Sequence, residues 1–265
     1  MCLFKKFNFI IVLILFFTFG CKSNKQSSVI SENSAQIILV ITDSLSANKG
    51  YLYAFEKDPA NNWKSFLDSV KVVLGAKGLG LGKGLHIPSD LKGFPKKIEG
   101  DGRSPAGIFS LSSIFGYFPK EEMVNLKMPY TQITESVECV DDTSSKFYNQ
   151  IMKKDTLLNK MDIDWKSSEK MHNTGIYYEL GVIVNHNCTS DKSNSGSCIF
   201  LHNWADSNET TAGCTAMKPS DMKKIAFWLG ESKAPILVQL TKREYLEKTK
   251  TWNLPLVGNF VSKDE

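Results

Sequence analysis

Arginine is nearly missing from this 265-residue chain: it occurs only at Arg103 and Arg243. Lysines carry the rest of the positive charge, are spread along the sequence, and leave a formal net charge of only +4. No basic run is interleaved with aromatics, so the concentrated cationic face of a nucleic-acid binder is lacking and no nucleic-acid partner is expected. Cysteine is also sparse, with six in all, too few to make a disulfide scaffold of a domain this large. Neither C-x-x-C nor H-E-x-x-H occurs. Zinc sites draw ligands from such close, recurrent spacings, and Cys198, His202 and Cys214 would have to be gathered without one, so no metal and no cofactor is expected. The glycine-rich run Gly75 to Gly84 contains no G-x-G-x-x-G and no Walker loop, which excludes the common phosphate cradles and leaves a mobile surface loop as the expectation. A regular alternation of strands and helices is absent too, which argues against a parallel α/β fold.

What is present begins with an address. Lys5 and Lys6 precede an apolar stretch from Phe7 to Phe19, interrupted only by Asn8 and Thr18, and Gly20 leads into Cys21. This is the layout of a secretory signal. Its end at cysteine resembles a bacterial lipoprotein signal, with Cys21 as the lipidated first residue of the mature chain. The alternative is an uncleaved anchor, for which the stretch is short. Either way the rest of the chain is expected outside the cytoplasm, on the periplasmic face, held to a membrane through its N-terminus. Residues 1–21 are thus the signal, 22–35 a polar, flexible tether, and 36–265 one domain. An apolar fraction of 42% is enough for a real core.

Within that domain, Gln36 to Thr42 is a short apolar run rich in β-branched residues, the pattern of a buried strand. Tyr51 to Lys57, Val70 to Leu74, Leu180 to Asn185, Cys198 to His202 and Pro235 to Leu240 are further strands. Gly100 to Gly107 is a turn cluster opening onto Ile108 and Phe109. One helix is clear: in Pro219 to Leu229 the apolar Met222, Ile225, Ala226 and Leu229 share a face, with Pro219 in the first turn and Gly230 as the stop. A second is expected over Ser144 to Met152. Strands dominate, so the fold class is mainly β, sandwich-like, with a few peripheral helices. Export would allow one disulfide to close the loop between Cys188 and Cys198, leaving Cys139 a buried thiol.

The chemistry concentrates late in the chain. Ser197-Cys-Ile-Phe-Leu-His202 is a strand ending in histidine, and Thr210-Thr-Ala-Gly-Cys214-Thr-Ala-Met217 delivers a cysteine among small residues just before the helix. Gly213 would let the backbone turn sharply and aim amide N–H groups at a developing oxyanion. A thiol needs a base near it to act as a nucleophile at neutral pH. On spacing alone, however, the better reading is Cys214 as a small buried hydrophobe and His202 as a satisfied strand-end histidine.

The run Gly196 to His202, followed by Thr211-Ala-Gly-Cys214-Thr-Ala-Met217, resembles the catalytic core of the L,D-transpeptidase (YkuD-type) family, in its T-A-G-C subgroup. Gly78 to His86, Gly100-Asp-Gly-Arg-Ser-Pro-Ala-Gly-Ile-Phe109, Cys139-Val-Asp-Asp142 with Phe147-Tyr-Asn149, and Tyr178 to Val184 match in the same order. The resemblance implies a β-rich fold and a cysteine enzyme acting on peptidoglycan stem peptides. Cys214 would attack the carbonyl that follows a diaminoacyl residue, expel a terminal D-amino acid and hold the rest as a thioester for an amine acceptor. It further implies His202 as proton carrier, the carbonyl of Asn203 as its orienter, and the N–H groups of Gly213 and Cys214 as oxyanion hole. Arg103 stands between a grip on a substrate carboxylate and a pair with Asp101; Asp141 and Asp142 stand between amine positioning and capping a turn. Where the commoner motif of the family is S-H-G-C-x-R, this chain has Ala212 and Ala216. A hydrolase with the same centre and a non-catalytic wall-binding lipoprotein are the alternatives.

Overall fold

Seven consecutive residues buried on both faces of a sheet make a central strand, and Gln36–Thr42 (β1) is that strand, with the bounds its composition predicts. The computed structural model describes residues 29–156, 163–188 and 194–258. The signal stretch with Cys21, most of the tether, and part of the loop between Cys188 and Cys198 lie outside them. At the tether's end Ile30 is buried and the Ala35 N–H donates to the Lys233 carbonyl, so packing against the domain begins before β1.

β1 pairs antiparallel with Lys49–Lys57 (β2) and parallel with a strand near the other end of the chain, Ile236–Thr241. β2 turns back into Trp63–Val73 (β3), seven residues longer at its start than its apolar end, Val70 to Leu74, predicted. The added part is mostly exposed. Even so, Trp63 and Leu67 pack against the edge of the core and Phe66 stacks on Trp228.

Gly75 to Gly84 is not a mobile surface loop. It holds a short strand, Leu79–Leu81 (β4), with Leu79 fully buried. Its glycines serve close packing: a Cβ on Gly84 would come within 2.1 Å of the Ile108 carbonyl oxygen.

The strand that shapes the fold is Ser104–Gly116 (β5). Its first part pairs with β4, its middle, from Gly107 to Ser110, with the strand Ile236–Thr241, and its last part, from Leu111 to Gly116, with Leu180–Val184. Tyr130–Gln132 (β6) adds beside its end. Val137–Cys139 (β7), Ile151–Lys153 (β8) and Glu169–Lys170 (β9) form a separate small sheet. Leu180–Val184 (β10) pairs with Phe200–Asn203 (β11), β11 runs parallel to Thr215–Met217 (β12), and β12 meets β3. With Ile236–Thr241 as β13, the ladder returns on itself through β5 and encloses the main core, a β-sandwich.

Pro219–Trp228 (α1) buries Met222, Ile225 and Ala226, the face predicted from the spacing. Each large side chain so buried stabilises by roughly 1.5–3 kcal/mol. Leu229, extended and fully buried, ends the helix one residue before Gly230. The expected helix over Ser144 to Met152 does not form. Asn149 takes a positive φ of 61°, the Asp142 side chain accepts the Ser144 N–H, and the stretch ends in β8. A helix not expected, Lys242–Lys248 (α2), follows β13. Its signal was there: Thr241-x-x-Glu244 is a capping box, and the Thr241 side chain accepts the Glu244 N–H.

The disulfide joins Cys139 to Cys198, not Cys188 to Cys198. Cys188 is exposed and stands outside the bridge, and Cys139 is no free thiol. The short loop favoured the local pair on paper, but packing of the small sheet against the start of β11 brings the Cα atoms of Cys139 and Cys198 to 6.0 Å, within bonding range.

Candidate active site

β11 and β12 decide the site. They pair in parallel with His202 opposite Ala216. Cys214 immediately precedes β12, two residues before the partner of His202. Both side chains line one pocket of about 200 Å³, walled also by Glu169, Tyr178, Trp204 and Ala212.

The His202 Nδ1–H donates to the Asn203 carbonyl at 2.6 Å. A carbonyl only accepts, so the proton sits on Nδ1 and Nε2 keeps its lone pair. Tyr178 and Tyr177 stand edge-on to the ring, at 5.5 and 6.4 Å between centroids. Burial pushes the His202 pKa down to about 4. The Cys214 sulfur receives the Phe200 N–H at 3.3 Å, and its S–H donates to the Cys198 carbonyl at 3.4 Å. Burial pushes the thiol up to about 12, the charge of Glu169 adds to this, and the Phe200 N–H and Lys97 oppose it. The resting pair is therefore thiol and neutral imidazole.

The loop carrying Cys214 is held from several sides. Thr211 Oγ donates to the Cys214 carbonyl at 2.6 Å and accepts the Gly213 N–H at 3.2 Å. The fully buried Ser104 donates to the same carbonyl at 2.9 Å while accepting the Gly75 N–H. Thr215 donates to Gln239, whose amide N–H reaches the Pro105 carbonyl. This is why the turn cluster before β5 belongs to the site. Gly213 is needed for contact more than for a sharp turn: its φ is not positive, and a Cβ there would stand 3.0 Å from the Arg103 carbonyl oxygen. Its N–H is engaged by Thr211, whereas the Cys214 N–H makes no hydrogen bond among the described residues.

A match to the YkuD L,D-transpeptidase catalytic domain spans residues 49–238, most of the chain. The chain belongs to that family. A comparison with curated proteins found no match. In this L,D-transpeptidase domain the matched region holds β2 to β12 and the start of β13, and so every residue that lines the pocket.

Other residues singled out from the sequence fall elsewhere. Arg103 does not line the pocket: its guanidinium donates to the carbonyls of Lys77 and Leu79 at 2.6 and 3.1 Å, tying β4 to β5. Nor does its guanidinium pair with Asp101. That carboxylate accepts the Arg103 backbone N–H and the buried Lys97 ammonium, both at 2.9 Å. Asp142 accepts the N–H groups of Ser144 and Lys166, a turn role. Of the three histidines besides His202, His86 and His186 are buried and His172 exposed, the surface and core places expected of histidines without a role in the site. Residues to which the sequence reading gave no role in the site are Ser104, Thr211, Glu169 and Tyr178, while Cys198 was expected only as a disulfide partner. Ser104, Thr211, Cys198 and Tyr178 lay inside the matching stretches, but Glu169 carried no signal of its own.

Proposed function

We propose that this L,D-transpeptidase-family chain is an exported cysteine acyltransferase that cuts and rejoins stem peptides of peptidoglycan through a thioester on Cys214. The observation that carries the reading is the parallel β11–β12 pairing, which sets Cys214 and a neutral His202 on one pocket face. A bound carbonyl with its oxygen toward the Cys214 N–H would be polarised as the sulfur approaches. His202 Nε2 takes the thiol proton while sulfur bonds to carbon. The tetrahedral oxyanion is held by the Cys214 N–H. His202 then protonates the leaving nitrogen, the C–N bond breaks, and a D-amino acid departs from the thioester. An acceptor amine adds to the thioester, its proton passes to His202 and on to sulfur, and the new amide leaves. Water in place of the amine gives hydrolysis.

Incubating purified wall fragments with the tail-free chain and with its Cys214→Ala variant tests this by mass spectrometry. The expected result is new cross-links between stem peptides with the intact Cys214 and none with alanine. Trimmed stems without cross-links would turn the assignment to a hydrolase. No change with either protein would sink it.

We propose also that Cys21 is lipidated and holds the domain at a membrane facing the wall, on the strength of the charged, apolar and small-residue order of residues 1–21. Cys21→Ser is expected to move the protein out of the membrane fraction or to block signal removal. A Cys21→Ser chain that is processed normally and stays membrane-bound would contradict the anchor.

A further inference from the structure

Glu169 is a carboxyl in the wall of the pocket that Cys214 lines, with no lysine or arginine among that wall's described residues. It lies on β9, opposite Cys139 in the ladder, so the Cys139–Cys198 bridge ties its strand to the start of β11. Its Oε2 accepts the Tyr178 hydroxyl at 2.6 Å, and Tyr178 in turn packs edge-on to His202. Oε1 receives no donor among the described residues. The neighbouring Lys170 is turned away and paired with Glu138. The only other acid in the wall, Glu209, accepts the Tyr177 hydroxyl at 2.8 Å, and no lysine or arginine lines the pocket among the described residues. Burial raises the Glu169 carboxyl to about 7, and the charges of Asp141 and Glu99 push the same way. Such a group is short of positive charge. A ligand that brings an ammonium to Oε1 supplies the missing partner, in a site dry enough for the pair to matter.

We propose that Glu169, held by Tyr178, is the recognition site for a primary ammonium of the substrate. The inference rests on the proposed function, in which a diaminoacyl side chain supplies that ammonium, from either the donor or the acceptor stem. Glu169 then selects diaminoacyl stems over stems whose side chain is neutral.

Calorimetry in the Cys214→Ala background, where nothing is turned over, reads this directly. The probes are a stem tetrapeptide as donor, a stem tripeptide as acceptor, and both with the side-chain amine acetylated. At least one free-amine peptide is expected to bind about tenfold more tightly than its acetylated form, and the peptide that shows the preference names the source. Glu169→Gln is expected to erase the preference while leaving the acetylated peptides unaffected, and Tyr178→Phe to reduce it partly. Equal binding of free and acetylated forms by the Glu169-containing chain would overturn the site, whatever the variants do. So would a preference that survives in a folded Glu169→Gln chain. Intact-mass detection of the thioester on the chain with Cys214 is the separate arm. A thioester without amine preference removes the ammonium site alone, whereas amine preference without a thioester removes the reaction and leaves the site.

Discussion

His202→Ala is expected to lower turnover by at least about 10²-fold, the cost of removing a general base, without unfolding the domain. The ring stands near the end of β11 and, among the described residues, its polar contact is to the adjoining Asn203 carbonyl. The same residue sets the pH behaviour. Its folded pKa lies near 4, below the usual 6.5, so Nε2 is free to accept a proton throughout the neutral range. The acid limb of kcat/KM assigned to His202 should therefore fall near pH 4. For stability the sign follows from the depressed value: the unfolded chain takes up the proton first, so stability is full above pH 6.5 and is lost as pH falls toward 4. Between pH 7.5 and 4.5 the ring's share of that loss is about 2–3 kcal/mol. Denaturant unfolding at those two pH values should show His202→Ala losing less than the parent by that amount. The buried His186, also held near 4, contributes its own loss in both proteins. Near-normal turnover by a folded His202→Ala chain would end the Cys–His assignment.

Loss of the Cys139–Cys198 bridge is the second large effect. The bridge closes a separation of 59 residues, for which the loop-entropy model gives about 4 kcal/mol. In a domain of this size that corresponds to a fall in Tm of roughly 8–16 °C. The double variant Cys139→Ala/Cys198→Ala, and the parent in reductant, should show it in thermal melts. Activity at temperatures where the variant is still folded should fall as well. The bridge holds the residue whose carbonyl receives the Cys214 S–H and tethers the strand of Glu169. A variant with unchanged Tm and full activity would show that packing alone keeps the small sheet in place.

Much of the sandwich was legible because its signals are local. A β-branched run buried on both faces can be little else than a central strand, and β1 has the predicted bounds. The i, i+3, i+4 spacing of Met222, Ile225 and Ala226 identified α1, though its last residue depended on Leu229 being drawn into the core. Gly75 to Gly84 looked like free loop because its glycines permit motion. They in fact permit contact, and a glycine's neighbours are invisible until the chain is folded. The start of β3 was missed because its mostly exposed residues carry no regular apolar alternation. α2 was overlooked although its capping box stood in the sequence.

The candidate site divides the same way. The residue types at 202 and 214, their small neighbours and the family likeness were all present in the sequence, and so was the carbonyl next to His202. Only the tertiary structure decided three further matters. It chose Cys139 over Cys188 as the partner of Cys198, because disulfide pairing depends on distance in space and not along the chain. It decided that the resting centre is thiol and neutral imidazole, because burial penalises charge on both groups and burial is a property of the closed fold. And it set Glu169, 45 residues before Cys214 (214 − 169), into the same pocket wall. Ladder pairing with a disulfide-bonded strand, and not any motif, carries that carboxyl there.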